Sequence, residues 1–123
     1  MAKNQIQALI VTHRGSLQSG LRALVMSIPH VDIIGHVGDG ARALEMVRKH
    51  HPDLVLLDTN LPGDEEWRVL DQMTALWPGV QCIVLADDVE QQQKATELGA
   101  DIVLLKGFPP AKLAEIIEKL LPQ

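Results

Sequence analysis

The feature that most restricts how this chain can fold is a rhythm. Five short apolar runs, IQALIVT, VDIIGHV, LVLLD, VQCIVLA and IVLLK, alternate with longer segments whose apolar residues recur at helical spacing. Runs such as LVLLD and IVLLK are apolar at consecutive positions, which suits strands covered on both faces and so a parallel sheet flanked by helices. The spacing puts Leu17, Leu21, Leu24 and Val25 on one face of a first helix and Val69, Met73 and Leu76 on one face of a third. Leu113, Ile116, Ile117, Leu120 and Leu121 form the face of a fifth. Boundary signals agree with this phasing. Asp39 is placed to cap the second helix, Asp88 with Gln91 resembles a capping box for the fourth, and Pro110 sits where a first helical turn tolerates proline. The expected class is α/β, a doubly wound parallel sheet.

At 123 residues the chain is expected to be one domain, 1–123, with no effector domain after the fifth helix. A net charge of -5, with lysines and arginines scattered, offers no basic stripe for a phosphate backbone, so direct nucleic-acid binding is not expected. No apolar run approaches the roughly 18 residues of a membrane span, and the N-terminus lacks a signal-peptide pattern, so the expected location is the cytoplasm. The single cysteine, Cys82, lies in an apolar run and reads as a buried structural thiol.

In open α/β sheets, ligands bind outside the carboxyl ends of the strands, where the strand order reverses. The residues at those ends are Thr12 and His13, Asp58, Ala86 and Asp87, and Lys106. They are far apart in sequence and should converge in space. The stretch LLDTNLPG, a fourth strand ending VLA, the segment GADIVLLKGF and a final amphipathic helix together resemble the receiver domain of bacterial response regulators over essentially the whole chain. The resemblance implies a flavodoxin-like fold with five strands in the order 2-1-3-4-5 and five helices. It also implies a signalling module rather than an enzyme, whose partners are a histidine kinase and an effector domain or protein. By the same resemblance, Asp58 is the phospho-acceptor candidate and Lys106 the phosphate contact. Asn60 matches the position whose backbone carbonyl helps hold Mg²⁺, and the surface of the fourth helix, fifth strand and fifth helix is a possible homodimer or output face.

The departures from that pattern fall in the site itself. Where the resemblance calls for two acidic residues after the first strand, the chain has Thr12 and His13. Ala86 stands at the hydroxyl position after the fourth strand, Val103 at the switch-aromatic position, and Glu66 where a glycine is usual. Phosphoryl transfer to a carboxylate needs its negative charge neutralised by Mg²⁺ and fixed donors, and Mg²⁺ wants hard oxygen ligands. The expected cofactor set is therefore none, with Mg²⁺-dependent phosphorylation of Asp58 impaired or absent. Instead, Asp58 and Lys106 are expected to form a direct charge-assisted hydrogen bond, with Thr12 or His13 as a further donor. The alternative is a conventional phospho-accepting receiver using Asp58 with Lys106.

Several other features have plainer readings. A His13–Asp58 pair is too few ligands for a metal site, so His13 is expected to hydrogen-bond across the crevice. His36, His50 and His51 are expected at the surface or at helix ends, and the acidic run Asp64-Glu65-Glu66 as a solvated helix start. The segment GDGARA fits Gly38-x-Gly40-x-x-Ala43, the dinucleotide fingerprint, which gives a further alternative of a nucleotide-binding domain. Against it, the motif follows the second strand, at the edge of such a sheet and away from the switch point.

Overall fold

In a computed structural model, the structure describes residues 5–13 and 16–120, with the side chains of all of these except 16–19. Strands β1 (Ile6–Val11), β2 (Val31–Val37), β3 (Leu54–Asp58), β4 (Gln81–Ala86) and β5 (Ile102–Leu105) alternate with helices α1 (Ser16–Met26), α2 (Gly40–His50), α3 (Glu65–Leu76), α4 (Val89–Glu97) and α5 (Pro110–Leu120). All four pairings are parallel and the order is β2-β1-β3-β4-β5, so the order reverses between β1 and β3. The expected architecture is the observed one.

Side-chain alternation along the strands divides the core in two. Ala8 and Ile10, Leu54 and Leu56, and Ile83 and Leu85 face α1 and α5 through Leu21, Val25, Leu113 and Ile117. Leu9 and Val11, Val55 and Leu57, and Cys82 and Val84 face the other way, against Ala43 and Val47 of α2, Val69 and Met73 of α3, and Ala95 of α4. Every residue of β3 is buried, as its unbroken apolar run implies. β5 is an edge strand, and its Leu105 remains 37% exposed. Cys82 is enclosed, and burial pushes its thiol far up in pKa.

The caps follow the sequence. Asp39 accepts from the Arg42 amide at 2.8 Å to start α2, and Asp88 accepts from the Gln91 amide at 2.8 Å to start α4. Gln91 returns its Oε1 to the amide of Asp87 at 2.7 Å. α5 begins at Pro110. His50 and His51 are exposed at the end of α2, where His51 takes a left-handed conformation, φ 46°.

Three expectations need correction. Leu76, the last residue of α3, is 61% exposed and does not belong to the buried face that Val69 and Met73 form. Glu66 is buried, 1% exposed, so the acidic run is solvated only in part: Asp64 is exposed and Glu65 half-buried. His36 is a half-buried residue of β2 rather than a surface or helix-end one. The expected Leu17 and Leu121 contacts lie outside the described side chains.

Candidate functional site

The carboxyl ends of β1, β3, β4 and β5 bring the strand-end residues to one crevice. Asp58, the last residue of β3, is 4% exposed, held there because β3 is flanked by β1 and β4 on both sides. Lys106 follows β5 and is anchored by its own amide, which donates to the Ala86 carbonyl at 2.8 Å. Its Nζ stands 2.6 Å from Asp58 Oδ1 and 2.7 Å from Asp87 Oδ1. With its amide oriented to satisfy both neighbours, Asn60 accepts from Lys106 Nζ at 2.9 Å and donates to Asp87 Oδ2 at 3.1 Å. Four side chains from the ends of three strands thus close a charged ring. The Asp58 contact has ion-pair distance without hydrogen-bond alignment, and Oδ1 is a buried oxygen with no aligned donor. Coulomb attraction at that distance carries the interaction.

The electrostatics follow from the ring. Burial alone lowers the pKa of Lys106, but its close contacts with Asp58 and Asp87 and their negative charges outweigh it, and its ammonium is held above the ordinary lysine range. Asp87 is held below the ordinary carboxylate range, chiefly by its hydrogen bond from Lys106. Behind the ring, the Thr59 hydroxyl donates to the Leu85 carbonyl at 3.1 Å and ties the end of β3 to β4.

The β1 side of the crevice is uncharged. Thr12 is fully buried, and its hydroxyl shares a 2.9 Å hydrogen bond with His36 Nε2 of β2. This differs from the expected donation to Asp58: β1 is flanked by β2 as well as by β3, and the hydroxyl is engaged by the half-buried imidazole on the β2 side. Burial lowers the pKa of His36, and the positive charge of Arg22 lowers it further. His13 is exposed. Ala86 is buried, and Val103 is a half-buried residue of β5. Among the described residues, no group of three or more His, Cys, Asp or Glu side chains is placed to share a metal ion.

Glu66 sits under the loop that follows Asp58, and its Oε1 accepts from the Leu61 amide at 3.3 Å. Desolvation raises its pKa; the amides of Glu66 and Leu61 pull it down in part, and the charges of Asp64 and Asp58 push it up again. An open apolar recess of about 420 Å³, lined by Leu21, Leu24, Phe108 and Pro110, adjoins Lys106.

Sequence reasoning brought Asp58, Asn60, Asp87 and Lys106 to one crevice but gave Asp87 no role, and it did not assign the Thr12–His36 pair or the buried Glu66. Asp87 had a signal, its place at a strand end. The glycine motif is accounted for by packing. A Cβ on Gly40 would lie 2.9 Å from Glu65 Cβ, and the Gly40 amide donates to Glu65 Oε1 at 2.8 Å, so a carboxylate of the chain itself occupies that helix start. β2 is an edge strand, so the motif follows the outermost strand and not the switch point between β1 and β3.

Comparison with known proteins agrees with the geometry. The model of the response regulator receiver domain matches residues 5–118. The nitrate/nitrite response regulator protein NarL of Escherichia coli is 26% identical over 90% of this chain and 52% of its own length. Sporulation initiation phosphotransferase F of Bacillus subtilis is 31% identical over 68% of this chain and 69% of its own. The chain spans about half the length of NarL and of the transcriptional regulatory protein DegU of Brevibacillus brevis, at 52% and 50%. In fold, a two-component response regulator of the LuxR family from Aurantimonas superposes with a TM-score of 0.86 at 22% identity, covering 94% of this chain and 84% of that one. A CheY-like receiver domain protein from Methanospirillum hungatei superposes at 0.79 and 23% identity, covering 94% of each. With the strand-end aspartate and lysine in one crevice and the family model matched along nearly its whole length, the chain belongs to the response regulator receiver domains of two-component signalling.

Proposed function

We propose that this receiver keeps its crevice as a metal-free charge network and signals through contacts with another protein or domain, Mg²⁺-dependent phosphorylation of Asp58 being impaired or absent. The observation that carries this reading is Lys106. An ammonium has three N–H donors, and the oxygens of Asp58, Asp87 and Asn60 lie 2.6, 2.7 and 2.9 Å from it. A phosphoryl oxygen would have to displace one of them. Toward Mg²⁺ the crevice offers the Asp58 carboxylate and the main-chain carbonyl position of Asn60, while the Asp87 carboxylate is taken up by Lys106 and the Asn60 amide. Thr12 shares its hydroxyl with His36, and an imidazole at position 13 suits transition metals better than Mg²⁺. That donor set does not fit an ion that demands a near-octahedral shell of oxygens.

The contacts through which such a domain acts have a natural place on the face of α4, β5 and α5, where Val89 is 66% and Leu105 37% exposed. A second copy of the chain, a histidine kinase or an effector would dock there. Relatives about twice as long include a response regulator and a transcriptional regulatory protein, which supports an effector as the output. No described helix is long and apolar enough to cross a membrane, in keeping with a cytoplasmic place of action.

The test is intact-mass measurement after incubation with Mg²⁺ and acetyl phosphate, under conditions that preserve acyl phosphates. The expected result is no added phosphoryl group. A stoichiometric gain that disappears in Asp58→Asn would restore the conventional phospho-accepting mechanism.

A further inference from the structure

Helices α2 and α3, which cover the same face of the sheet, leave a groove between them. α2 contributes Leu44 and Arg48 to it, and α3 contributes Gln72, Leu76 and the following Trp77, around an open volume of about 540 Å³. Its floor is apolar. Leu44 and Trp77 are half-buried, packed on the core beneath the two helices, and Leu76 is 61% exposed. A large aliphatic side chain beside a half-covered indole, in a concavity, is the kind of patch that a second polypeptide covers. Its rim is basic. Arg42 and Arg48 line the groove with Glu45 between them, and Lys49 follows. Arg42 reaches only Asp39, at 3.7 Å, and among the described residues no carboxylate stands within ion-pair distance of Arg48. This positive charge sits on a chain whose net charge is -5. The helix macrodipole favours basic residues in the last turn of α2 and so accounts for Arg48 and Lys49, but it opposes Arg42 in the first turn and says nothing of the exposed leucine across the groove.

We propose that the groove between α2 and α3 is a docking surface for an acidic amphipathic helix of a partner protein. Charge complementarity selects the occupant: an acidic segment meets a basic rim here, while the net charge of the chain opposes it elsewhere. Geometry sets its pattern. Arg42 and Arg48 lie about 9 Å apart along the α2 axis, at 1.5 Å per residue, so carboxylates two turns apart on the partner reach both. Glu45, midway between them, disfavours a third carboxylate, so the partner's middle position is apolar and packs on Leu76 and Trp77. The segment that fits is acidic, then apolar one turn on, then acidic after one turn more, the i, i+3/i+4, i+7 spacing of a helix held in a groove. This surface is separate from the face of α4, β5 and α5, and it asks nothing of Asp58 or Lys106, so it stands whether or not the crevice carries a phosphoryl group.

The experiment is a backbone-amide NMR titration of the full chain with two synthetic helical peptides of about 18 residues, long enough to hold a helix in water. Both carry leucines at the apolar positions; one has glutamates and the other lysines at the flanking positions. The glutamate peptide is expected to bind saturably, with shifts centred on residues 41–48 and 72–77, and about tenfold more tightly than the lysine peptide, the worth of two exposed ion pairs. Arg48→Glu should reverse that preference. Leu76→Ala changes an exposed side chain and leaves the core intact, and it should weaken the glutamate peptide about tenfold. No saturable binding of the glutamate peptide, equal binding of the two peptides, an unaltered affinity in Leu76→Ala, or shifts centred on Val89 and Leu105 would each overturn the proposal. Sedimentation of the chain alone tests the other occupant: a dimer lost in Leu76→Ala would assign the groove to a second copy and overturn it as well.

Discussion

The two sides of the crevice are built on opposite electrostatic plans. On the side of β3, β4 and β5, two carboxylates and an amide surround one ammonium, whereas on the side of β1 and β2 a neutral hydroxyl meets a neutral-leaning imidazole. A crevice with carboxylates on both sides concentrates negative charge that a divalent cation relieves. With the β1 side neutral, the negative charge gathers beside Lys106, and the chain itself provides the counter-ion. The difference teaches that a crevice neutral on its β1 side can balance its carboxylates against a lysine of the chain itself, with one net negative charge left over among Asp58, Asp87 and Lys106.

The sharpest way to break the comparison is to remove its cation. Lys106→Ala leaves Asp58, 4% exposed, without a partner, and is expected to cost about 2 to 3 kcal/mol in urea unfolding. Adding Asp58→Asn should recover part of the loss, because the two effects share one contact. Full additivity of the two changes would mean that the ring holds nothing together. The pH dependence has a fixed sign. Lys106 is raised in the fold, so its contribution is complete below the ordinary lysine value and is lost as pH climbs through the folded one.

Less should follow from the buried acid between the two plans. Glu66 has a folded pKa above the ordinary carboxylate value, so across the interval between the two the folded state keeps a proton that the unfolded chain gives up. Stability from this group therefore falls as pH rises through that interval. Glu66→Gln keeps an oxygen for the Leu61 amide and removes the ionisation, and should stabilise the domain at neutral pH. The gain should vanish below the ordinary carboxylate pKa. A denaturation series from pH 4 to 8 reads it; a variant whose stability tracks wild type in parallel would mean that Glu66 is not the titrating group.

The smallest effect belongs to the neutral side. Thr12→Val removes the hydroxyl that His36 meets at 2.9 Å and should cost about 1 kcal/mol. His36 has a lowered folded pKa, so the stability tied to its neutral form is present above the ordinary histidine value and is lost as pH falls toward the folded one. In the chemical shifts of His36, the apparent pKa should move when Arg22→Gln removes the nearby positive charge, upward in that case. No movement would leave burial as the whole cause.

The fold was legible because its signals are local. The five apolar runs and the caps at Asp39 and Asp88 each depend on a few neighbouring residues, and each is in its expected place. The Asp58–Lys106 contact was legible because both residues end strands that a parallel sheet must bring together. The pairing of Asp87 with Lys106 and Asn60 was not, because its partner could be chosen only once the length of the β4–α4 loop had set the reach of its side chain. Glu66 misled because an acidic run at a helix start normally faces water, and here the helix turns one member inward beneath the Asp58 loop. His36 belongs to the same class: a histidine in a strand reveals its neighbour only through the strand pairing.

The enclosed Cys82 gives this molecule a clock. It is the only thiol in the chain, it lies on the β4 surface covered by α3 and α4, and its raised pKa leaves almost no thiolate to react. Alkylation in native buffer must wait for the sheet to part from those helices. Its rate thus counts excursions of the very layer to which the Asp87 loop is fastened, with no label added to the protein.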